Sequence, residues 1–509
     1  MAEKVKSWRS DVRLGGGVEG EEEGALEARG DEAPFDVLVI GDFGQGGVAP
    51  AERRLAKIDR DDFDDEIARF RPAWKGDVRS ASGTSATQVA LSFRALDDFH
   101  PDRIIAEIPS FRKIVDARRA LDDPKRFEKA ASEILAWTPR AAAGGEERKP
   151  APRRTVRSGE LLDSILDDAG GDAPAPVVRN LDSEVEKLIE DVVAPHLVEV
   201  DKGRQERLVE AVDRGLSEAL RLILHQPEFQ RLEAAWRGLR WLLDRIESEG
   251  RVRLRILHLT RDELEQDLRA GARSVLRSQV VEPASVPGSD RPALLVGLYD
   301  FGHEDEDIAV LASLGAIASR VGAVFVAGAA PRILGCESFT ELPSAKAIGE
   351  RTQSASFESW SALRSSALAG RLALALPRWL CRLPYGADTE PIESFAFEEH
   401  GDGSHEGLLW AHPGFAVVAV VADAFRSEGW DLDFSSEARE LEGLPLYVYD
   451  ESGEKQVKPC AEVFLSEPTV IALEETGLLP LVSYRGQDRI LLRAIQSLAT
   501  PRAPLSFRH

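Results

Sequence analysis

Cysteines and long apolar runs are scarce in this 509-residue sequence. The three cysteines, Cys336, Cys381 and Cys460, lie too far apart for a zinc knuckle or a CxxC redox pair, so we interpret them as reduced thiols. No stretch approaches the roughly 18 uncharged apolar residues of a spanning helix, and the N-terminus lacks a basic segment followed by an apolar one. We therefore expect a cytoplasmic protein with no membrane partner.

Basic residues are the minority among the charged side chains. Lys and Arg total 64 against 88 Asp and Glu, which gives a formal net charge of −24. Nucleic-acid binding draws much of its affinity from Lys and Arg that neutralise phosphates, and an acidic surface repels them. The composition therefore argues against a nucleic-acid partner.

Motifs for catalysis and for metal binding are also missing. The nine histidines form no HxH or HExxH pattern, and none lies in a His/Cys cluster. The tripeptides Asp42-Phe43-Gly44 and Asp300-Phe301-Gly302 have the sequence of a kinase magnesium motif, but the glycine-rich loop, strand lysine and HRD-type loop are absent. We interpret both tripeptides as strand ends. The sequence thus predicts neither an enzyme nor a cofactor.

The apolar patterning predicts an α/β fold with two mixed α/β domains and a helical segment between them. The run Phe35–Gly41 has the length and composition of a strand that is buried on both faces. Asp305–Val321 has helical periodicity, and Thr260 with Glu263 forms a capping box. The predicted boundaries are a disordered tail at 1–33, a first domain at 34–137, a linker at 138–180 and a second domain at 181–509, which is helical over 182–249 and α/β over 251–498.

Two short segments have the pattern of binding motifs. Residues 158–168 form an amphipathic helical island in the Ala, Gly, Pro and Arg-rich linker, with an apolar face among acids at Leu161, Leu162, Asp163, Ile165 and Leu166. The tail holds a β-compatible patch, residues 5–14, that is suited to pairing with a strand of another chain and includes Val5, Trp8, Val12 and Leu14.

The string ILHQPEFQRLEAAWRGLRWLL, which starts at Ile223, resembles the large subunit of the type VI secretion contractile sheath. The family pattern is matched at His225, Pro227, Glu228, Phe229, Leu232, Glu233, Trp236, Arg237, Gly238 and Leu239. Further matches follow in the family's order: Pro377-Arg378, Arg382 to Gly386, Phe395 to Glu399, Leu409-Trp410 and Gly429-Trp430.

The early sequence PFDVLVIGDFGQGG resembles the small subunit of the same sheath. Its other matching residues are Arg53-Arg54, Ile58-Asp59, Asp62-Phe63-Asp64 and the Phe93 to Asp102 segment. The chain is thus similar to a small subunit (TssB/VipA-like) fused to a large subunit (TssC/VipB-like), over roughly 35–137 and 158–498.

This resemblance implies a structural protein that assembles around an inner tube and contracts to drive injection. The implied partners are other sheath subunits, the inner tube protein, the baseplate and a ClpV-type AAA+ unfoldase. The island at Leu161 to Leu166 resembles the helix that this unfoldase grips, although a local helix that docks on its own domain is the alternative.

Large sheath subunits continue well past the segment Asp488–Leu498, into terminal strands that link neighbouring subunits, whereas this sequence ends at His509. That difference leaves a second interpretation open, in which the chain is a C-terminally truncated, non-polymerising cap, adaptor or inhibitor of a sheath.

Overall fold

The computed structural model describes residues 29–79, 86–123, 125–136, 203–246, 250–286, 288–400, 404–435 and 438–507. The unfoldase-binding candidates Leu161, Leu162, Asp163, Ile165 and Leu166 lie outside these residues, as do the strand candidates Val5, Trp8, Val12 and Leu14. Both sets therefore stay predictions.

The described residues form both helices and strands, which confirms the predicted α/β class. The strands are β1 (Phe35–Gly41), β2 (Ala56–Ile58), β3 (Ala73–Arg79), β4 (Ala86–Ser92), β5 (Val252–His258), β6 (Leu294–Phe301), β7 (Val324–Ala329), β8 (Leu372–Leu376), β9 (Trp379–Leu380), β10 (Trp410–Ala411), β11 (Arg439–Leu441), β12 (Val448–Glu451), β13 (Glu454–Val457), β14 (Leu479–Pro480), β15 (Val482–Ser483) and β16 (Ile490–Leu492).

Helices of seven or more residues are numbered in the same way. They are α1 (Phe63–Phe70), α2 (Pro101–Glu107), α3 (Pro109–Leu121), α4 (Phe127–Ala136), α5 (Arg204–Leu224), α6 (Pro227–Arg245), α7 (Arg261–Arg269), α8 (Asp305–Val321), α9 (Ala345–Thr352), α10 (Glu358–Arg364), α11 (Pro413–Glu428) and α12 (Glu467–Glu475). Helix α8 has the predicted bounds, and α7 begins after the predicted capping box, in which Thr260 and Glu263 bond reciprocally.

The chain divides into two compact units. Unit 1 comprises Met1–Pro72, Arg231–Leu383 and Leu409–His509, and unit 2 comprises Ala73–Gln230 and Pro384–Leu408. Each unit combines segments from both of the predicted α/β regions, so the boundaries predicted along the chain do not coincide with those between the compact units.

Unit 1 is built on a seven-stranded sheet in the order β14-β8-β7-β6-β1-β5-β2. Neighbouring strands are parallel, except that β2 is antiparallel to β5. The order β5-β1-β6-β7-β8 is the doubly wound order 2-1-3-4-5. Every residue of β1 is buried, as its continuous apolar run predicts.

Unit 2 combines the antiparallel hairpin β3–β4 with packed helices. Helix α3 packs on both α4 and α5, and the Arg118 guanidinium on α3 bonds both carboxylate oxygens of Asp213 on α5, at 2.9 and 3.1 Å. The rings of Phe93 and Phe99 stack with centroids 4.0 Å apart.

Among the helices that these residues form, none combines the length and the apolar character needed to cross a bilayer.

Candidate functional site: a buried joint inside unit 1

Residues 35–72 of the first predicted region are held by residues of the second predicted region within unit 1. We call this set of contacts the joint. It begins with β1, which pairs in parallel with β5 from Phe35↔Val252 to Gly41↔His258 and with β6 from Val37↔Leu294 to Ile40↔Gly297. A strand with a ladder on each side contributes backbone hydrogen bonds in both directions.

A buried ion pair marks the start of β1. Asp36 bonds the guanidinium of Arg255 on β5, with one Nε–Oδ1 distance of 3.1 Å. Burial raises the pKa of Asp36, and the nearby Arg255 charge and hydrogen bond oppose that rise. The pair therefore favours β5 as the neighbour of β1 by charge as well as by backbone pairing.

The Trp236 cluster forms the apolar part of the joint. Trp236 on α6 is fully buried, and its ring lies 5.3, 5.9 and 5.6 Å from those of Phe43, Phe63 and Phe70, all in edge-on geometry. Its indole Nε1–H donates to the carbonyl oxygen of Phe43 at 3.2 Å. Edge-on aromatic pairs add stabilisation beyond area burial. One side chain of the second region thus organises three rings of the first.

A glycine on the same helix permits close packing. A Cβ atom at Gly238 would lie 2.5 Å from the ring of Phe415 on α11, closer than real contacts allow. The position follows Trp236 and Arg237 in the string that resembles the sheath pattern. Its need for glycine is therefore a packing requirement.

The Glu233 triad is the buried ionic part of this helix's packing. The Glu233 carboxylate is 0% exposed, and its Oε1 accepts from Arg237 Nε at 2.7 Å and from Arg382 Nε at 2.8 Å. Arg237 lies one helical turn after Glu233, whereas Arg382 comes from the Arg-Leu-Pro-Tyr-Gly string. Two sequence strings that are 149 positions apart therefore meet at one carboxylate.

The neighbouring thiol, Cys381, is buried, and burial raises its pKa to about 12. Burial likewise raises the pKa of Cys460 to about 11. None of the three cysteines forms a disulfide. Thiols with pKa values this high are poor nucleophiles at neutral pH, which fits the interpretation of these cysteines as packed, reduced side chains.

The Arg53 clamp, formed by Arg53, Glu263 and Gln279, holds the segment after β1. Arg53 Nη1 and Nη2 donate to the two carboxylate oxygens of Glu263 at 2.6 and 2.9 Å, and Nη1 also donates to the carbonyl of His258 at 3.1 Å. The Gln279 side chain accepts from Leu55 N at 2.9 Å and donates to the Arg53 carbonyl. The Arg53 side chain, the Arg53 carbonyl and the Leu55 N–H are thus all bonded to residues of the second region.

Glu263 serves the clamp and the helix together, because its carboxylate also accepts from Thr260 N at 2.9 Å. Burial alone would raise the pKa of Glu263, but the hydrogen bonds from Arg53 and Thr260 and the charge of Arg53 lower it. The carboxylate is therefore held in its charged form.

Doubly wound sheets commonly bind ligands beyond the carboxyl ends of their strands, where the strand order reverses. In this chain that position holds buried side chains of the protein itself. Phe43 is fully buried and its N–H donates to His258 Nδ1 at 3.0 Å, while the Tyr299 hydroxyl donates to the Leu259 carbonyl at 2.7 Å. Burial and the Arg53 charge lower the pKa of His258, and burial raises the pKa of Tyr299 well above its ordinary value.

The two Asp-Phe-Gly tripeptides lie at this edge as strand ends, as predicted. The Asp42 carboxylate accepts from the N–H of Gly44 at 2.9 Å in a tight turn after β1, and Phe301 is the last residue of β6. Within the described residues, no group of three or more His, Cys, Asp or Glu side chains could hold a metal ion.

Sequence reasoning singled out neither the Arg53 clamp nor the Glu233 triad as a site. Arg53, Glu233 and Arg382 did fall inside the strings that resemble sheath subunits, and that placement was the available signal.

Comparison with protein families assigns both parts of the chain. Residues 206–499 match the VipB model, described as "EvpB/VC_A0108, tail sheath N-terminal domain". This match covers more than half of the chain. The chain belongs to the VipB tail sheath family. Residues 20–133 match a second model, described as "Type VI secretion system, VipA, VC_A0107 or Hcp2", so the predicted fusion of a small-subunit-like and a large-subunit-like region is confirmed.

A curated relative agrees with the VipB assignment. The chain is 29% identical over 306 residues to the type VI secretion system sheath protein TssC1 of Pseudomonas aeruginosa strain PAO1. That alignment covers 58% of this chain and 61% of the relative. The chain therefore spans about three fifths of the length of TssC1. The family is one of structural sheath proteins, and no enzyme activity is known for it.

Proposed function

We propose that this VipB-family chain is a structural subunit of a type VI secretion contractile sheath, with the small and large subunits joined in one polypeptide. The observation that carries the proposal is the position of β1, a strand of the VipA-matching region between two strands of the VipB-matching region. Such a strand cannot leave without breaking two backbone ladders. Residues 35–72 and the sheet would therefore enter a lattice together.

The joint supports a mechanical role. Its contacts are the buried Trp236 cluster, the Asp36–Arg255 ion pair and the bidentate Arg53–Glu263 pair, and packed side chains of this kind transmit strain with little compression. At the carboxyl end of β1, where the strand order reverses, Phe43 is buried and His258 and Tyr299 form hydrogen bonds within the protein. In this proposal the work comes from rearrangement of the lattice around an inner tube.

Electron microscopy of the purified chain, alone and mixed with separately produced sheath subunits, tests the proposal. We expect rings or tubes of uniform diameter, or incorporation along the length of mixed tubes. A Val39→Pro variant, which removes a backbone donor from β1, should lose both the sheet and the incorporation. The exposed Val286→Ala variant should behave as the wild type.

A chain that never enters a sheath at any concentration would overturn the proposal. Incorporation at tube ends alone would replace it with the cap or adaptor interpretation. Co-purification with an inner tube protein and with a baseplate protein would test those two proposed partners separately, since each requires a different surface of an assembled sheath.

For the unfoldase, we propose that the binding site is the apolar face of the island, with Leu161, Leu162, Ile165 and Leu166, together with the neighbouring acid Asp163. The double variant Leu162→Asp/Ile165→Asp should abolish binding to a ClpV-type AAA+ unfoldase, because it places two charges on the apolar face. Asp167→Asn/Asp168→Asn is the matched control in the same segment. Unchanged binding by the first variant would reject the site, and its unfolding would favour a helix that docks on its own domain.

We further propose that the patch with Val5, Trp8, Val12 and Leu14 adds a strand to a neighbouring sheath subunit. Val12→Pro removes a backbone donor and should shorten or abolish tubes, whereas Val12→Thr keeps the donor and the β-branched shape. Equal tube lengths for the two variants would reject strand addition at this position.

A further inference from the structure

A cavity of about 240 Å³ lies in unit 1 at the carboxyl ends of β6, β7 and β8. We call it the Asp300 cavity. Most of its wall is apolar and consists of Phe339, three prolines and residues at the ends of β7 and β8. Its charged lining residues are Asp300, Glu337 and Arg378. A concave surface with apolar walls and a few charged groups is the usual form of a binding site.

The packing of two strands positions the Asp300 carboxylate. Asp300 belongs to the second Asp-Phe-Gly tripeptide, and its side chain is 48% exposed. On the neighbouring strand it pairs with Gly328, where a Cβ atom would lie 2.0 Å from Asp300 Oδ1. Glycine at position 328 is therefore required for the carboxylate to lie where it does.

Within the described residues, no arginine or lysine forms an ion pair with the carboxylate of Asp300 or of Glu337. His412 Nε2 lies 3.7 Å from Asp300 Oδ1, but it also lies 3.3 Å from the carbonyl oxygen of Tyr299. His412 Nδ1 accepts from Gly414 N, an N–H at the start of α11, at 3.1 Å. This arrangement fits a neutral ring with its proton on Nε2, and burial lowers the pKa of His412. The ring therefore does not neutralise Asp300.

The arginine of the cavity lining is balanced by a carboxylate behind it. Arg378 Nε donates to Glu462 Oε2 at 3.0 Å, and Arg378 Nη2 donates to Glu462 Oε1 at 2.5 Å. The Glu462 side chain is only 1% exposed, so the two charges form a closed pair. The carboxylates of Asp300 and Glu337 are then the unbalanced charges of the lining. Such a lining attracts cations and repels anions.

We propose that the Asp300 cavity binds an alkyl chain that ends in an ammonium or guanidinium group. The cationic end bonds the carboxylates of Asp300 and Glu337, and the alkyl part packs on Phe339 and the prolines. Charge-assisted bonds of this kind are stronger than neutral ones, and alkyl stems with a charged end commonly pack on apolar surface. A free small amine and a Lys or Arg side chain of another protein share this chemistry, and the experiment below separates the two sources.

Calorimetric titration of the full-length chain with n-butylammonium and n-butylguanidinium tests the proposal. We expect saturable binding of both cations, and at least about tenfold weaker binding of n-butanol and of butyrate. The double variant Asp300→Asn/Glu337→Gln keeps the side-chain shapes and should weaken cation binding at least about tenfold. Glu451→Gln/Glu454→Gln is the control, because it removes two carboxylates from exposed positions of the β12–β13 hairpin, which does not line the cavity.

A cation placed in the lining gives an independent test. Glu337 is exposed, so Glu337→Lys should fold with the same thermal unfolding midpoint as Glu337→Gln. The new ammonium group replaces one carboxylate by a positive charge and competes with a ligand for Asp300. Glu337→Lys should therefore abolish the binding of both cations, whereas Glu337→Gln should only weaken it. Equal affinities for these two variants would contradict the proposal.

Three further results would overturn the proposal: no binding of either cation to the wild type, binding of n-butanol as tight as that of the cations, or equal weakening by the cavity variant and the hairpin control. The tripeptide acetyl-Gly-Arg-Gly-amide distinguishes the sources. Binding of this peptide as tight as that of n-butylguanidinium would assign the cavity to a side chain of another protein. Binding of the free cations alone would assign it to a small amine or guanidine.

Discussion

The Trp236 cluster and the Arg53 clamp fasten the same segment, residues 35–72, to the second region by different means. The cluster buries a large ring against three others and has one neutral hydrogen bond at 3.2 Å. The clamp uses charge-assisted bonds between Arg53 and Glu263, whose side chains are 6% and 23% exposed. The cluster's strength thus depends on volume and shape, and the clamp's on bond geometry and ionic strength.

This difference determines which substitutions the cluster and the clamp each tolerate. A packed cluster loses stability in proportion to the cavity left behind, and salt does not restore it. A partly exposed ion pair loses the net value of its hydrogen bonds, and salt already weakens it in the wild type. The joint therefore resists high salt through the cluster, while the clamp fixes the path of the chain after β1.

Trp236→Ala should have the largest effect, because it leaves a cavity beside Phe43, Phe63 and Phe70. Truncation of a buried tryptophan costs about 3–5 kcal/mol, and we expect a loss of about 4 kcal/mol in the free energy of unfolding measured with urea. Trp236→Phe is the matched control, which keeps a ring and loses the indole donor. A loss below about 1 kcal/mol for Trp236→Ala would contradict the role given to the cluster.

Glu233→Gln should come second. It leaves Arg237 and Arg382 without the charge they share, and breaking a buried ion pair in this way costs about 3 kcal/mol or more. Glu210→Gln, at an exposed position on α5, is the control and should stay within about 0.5 kcal/mol of the wild type. If the two variants unfold at the same urea concentration, the triad does not stabilise the fold.

The sequence predicted individual elements of unit 1 better than it predicted which elements pack together. The apolar run Phe35–Gly41 and the periodicity of Asp305–Val321 specify a strand and a helix, because each pattern is local. That β1 lies between β5 and β6 is set by partners more than 200 positions away. Burial on both faces identifies a central strand and does not identify its neighbours.

The site was less accessible to sequence reasoning than the fold. Arg53 and Glu263 are 210 positions apart, and neither has a local pattern that marks the other as its partner. The capping box already accounts for Glu263 in the sequence, so its second role, the ion pair with Arg53, is not apparent there. Strands of two or three residues, such as β2 and β9, are too short for a period to appear.

Arg53→Lys should have a smaller effect than either core substitution. Lysine keeps the charge but cannot bond both oxygens of Glu263 and the His258 carbonyl together, so we expect a loss of about 2 kcal/mol. Arg54→Lys, at the adjacent exposed position, is the control. Arg54→Lys keeps the Arg53–Glu263 pair intact, and Arg53→Lys does not. Salt screens this pair, so the difference in unfolding free energy between the two variants should shrink as salt is raised from 0.05 to about 1 M. A difference that salt does not change would assign the effect to packing.

The smallest effect we predict is a dependence of stability on pH between 7 and 5.5. Burial lowers the pKa of His258, and also that of His412, below the ordinary 6.5. Just below pH 6.5 the unfolded chain therefore binds more protons at these histidines than the folded chain does. Stability is then fully present above pH 6.5 and declines as pH falls below it. Glu263 contributes a loss in the same direction, but only as pH falls through and below the ordinary glutamate value of 4.5, so the two windows are separate.

His258→Asn keeps an acceptor for the Phe43 N–H and removes the titrating ring, so its unfolding midpoint should vary less with pH than that of the wild type. Parallel pH profiles for the two proteins would show that His258 protonation is not coupled to unfolding of the joint.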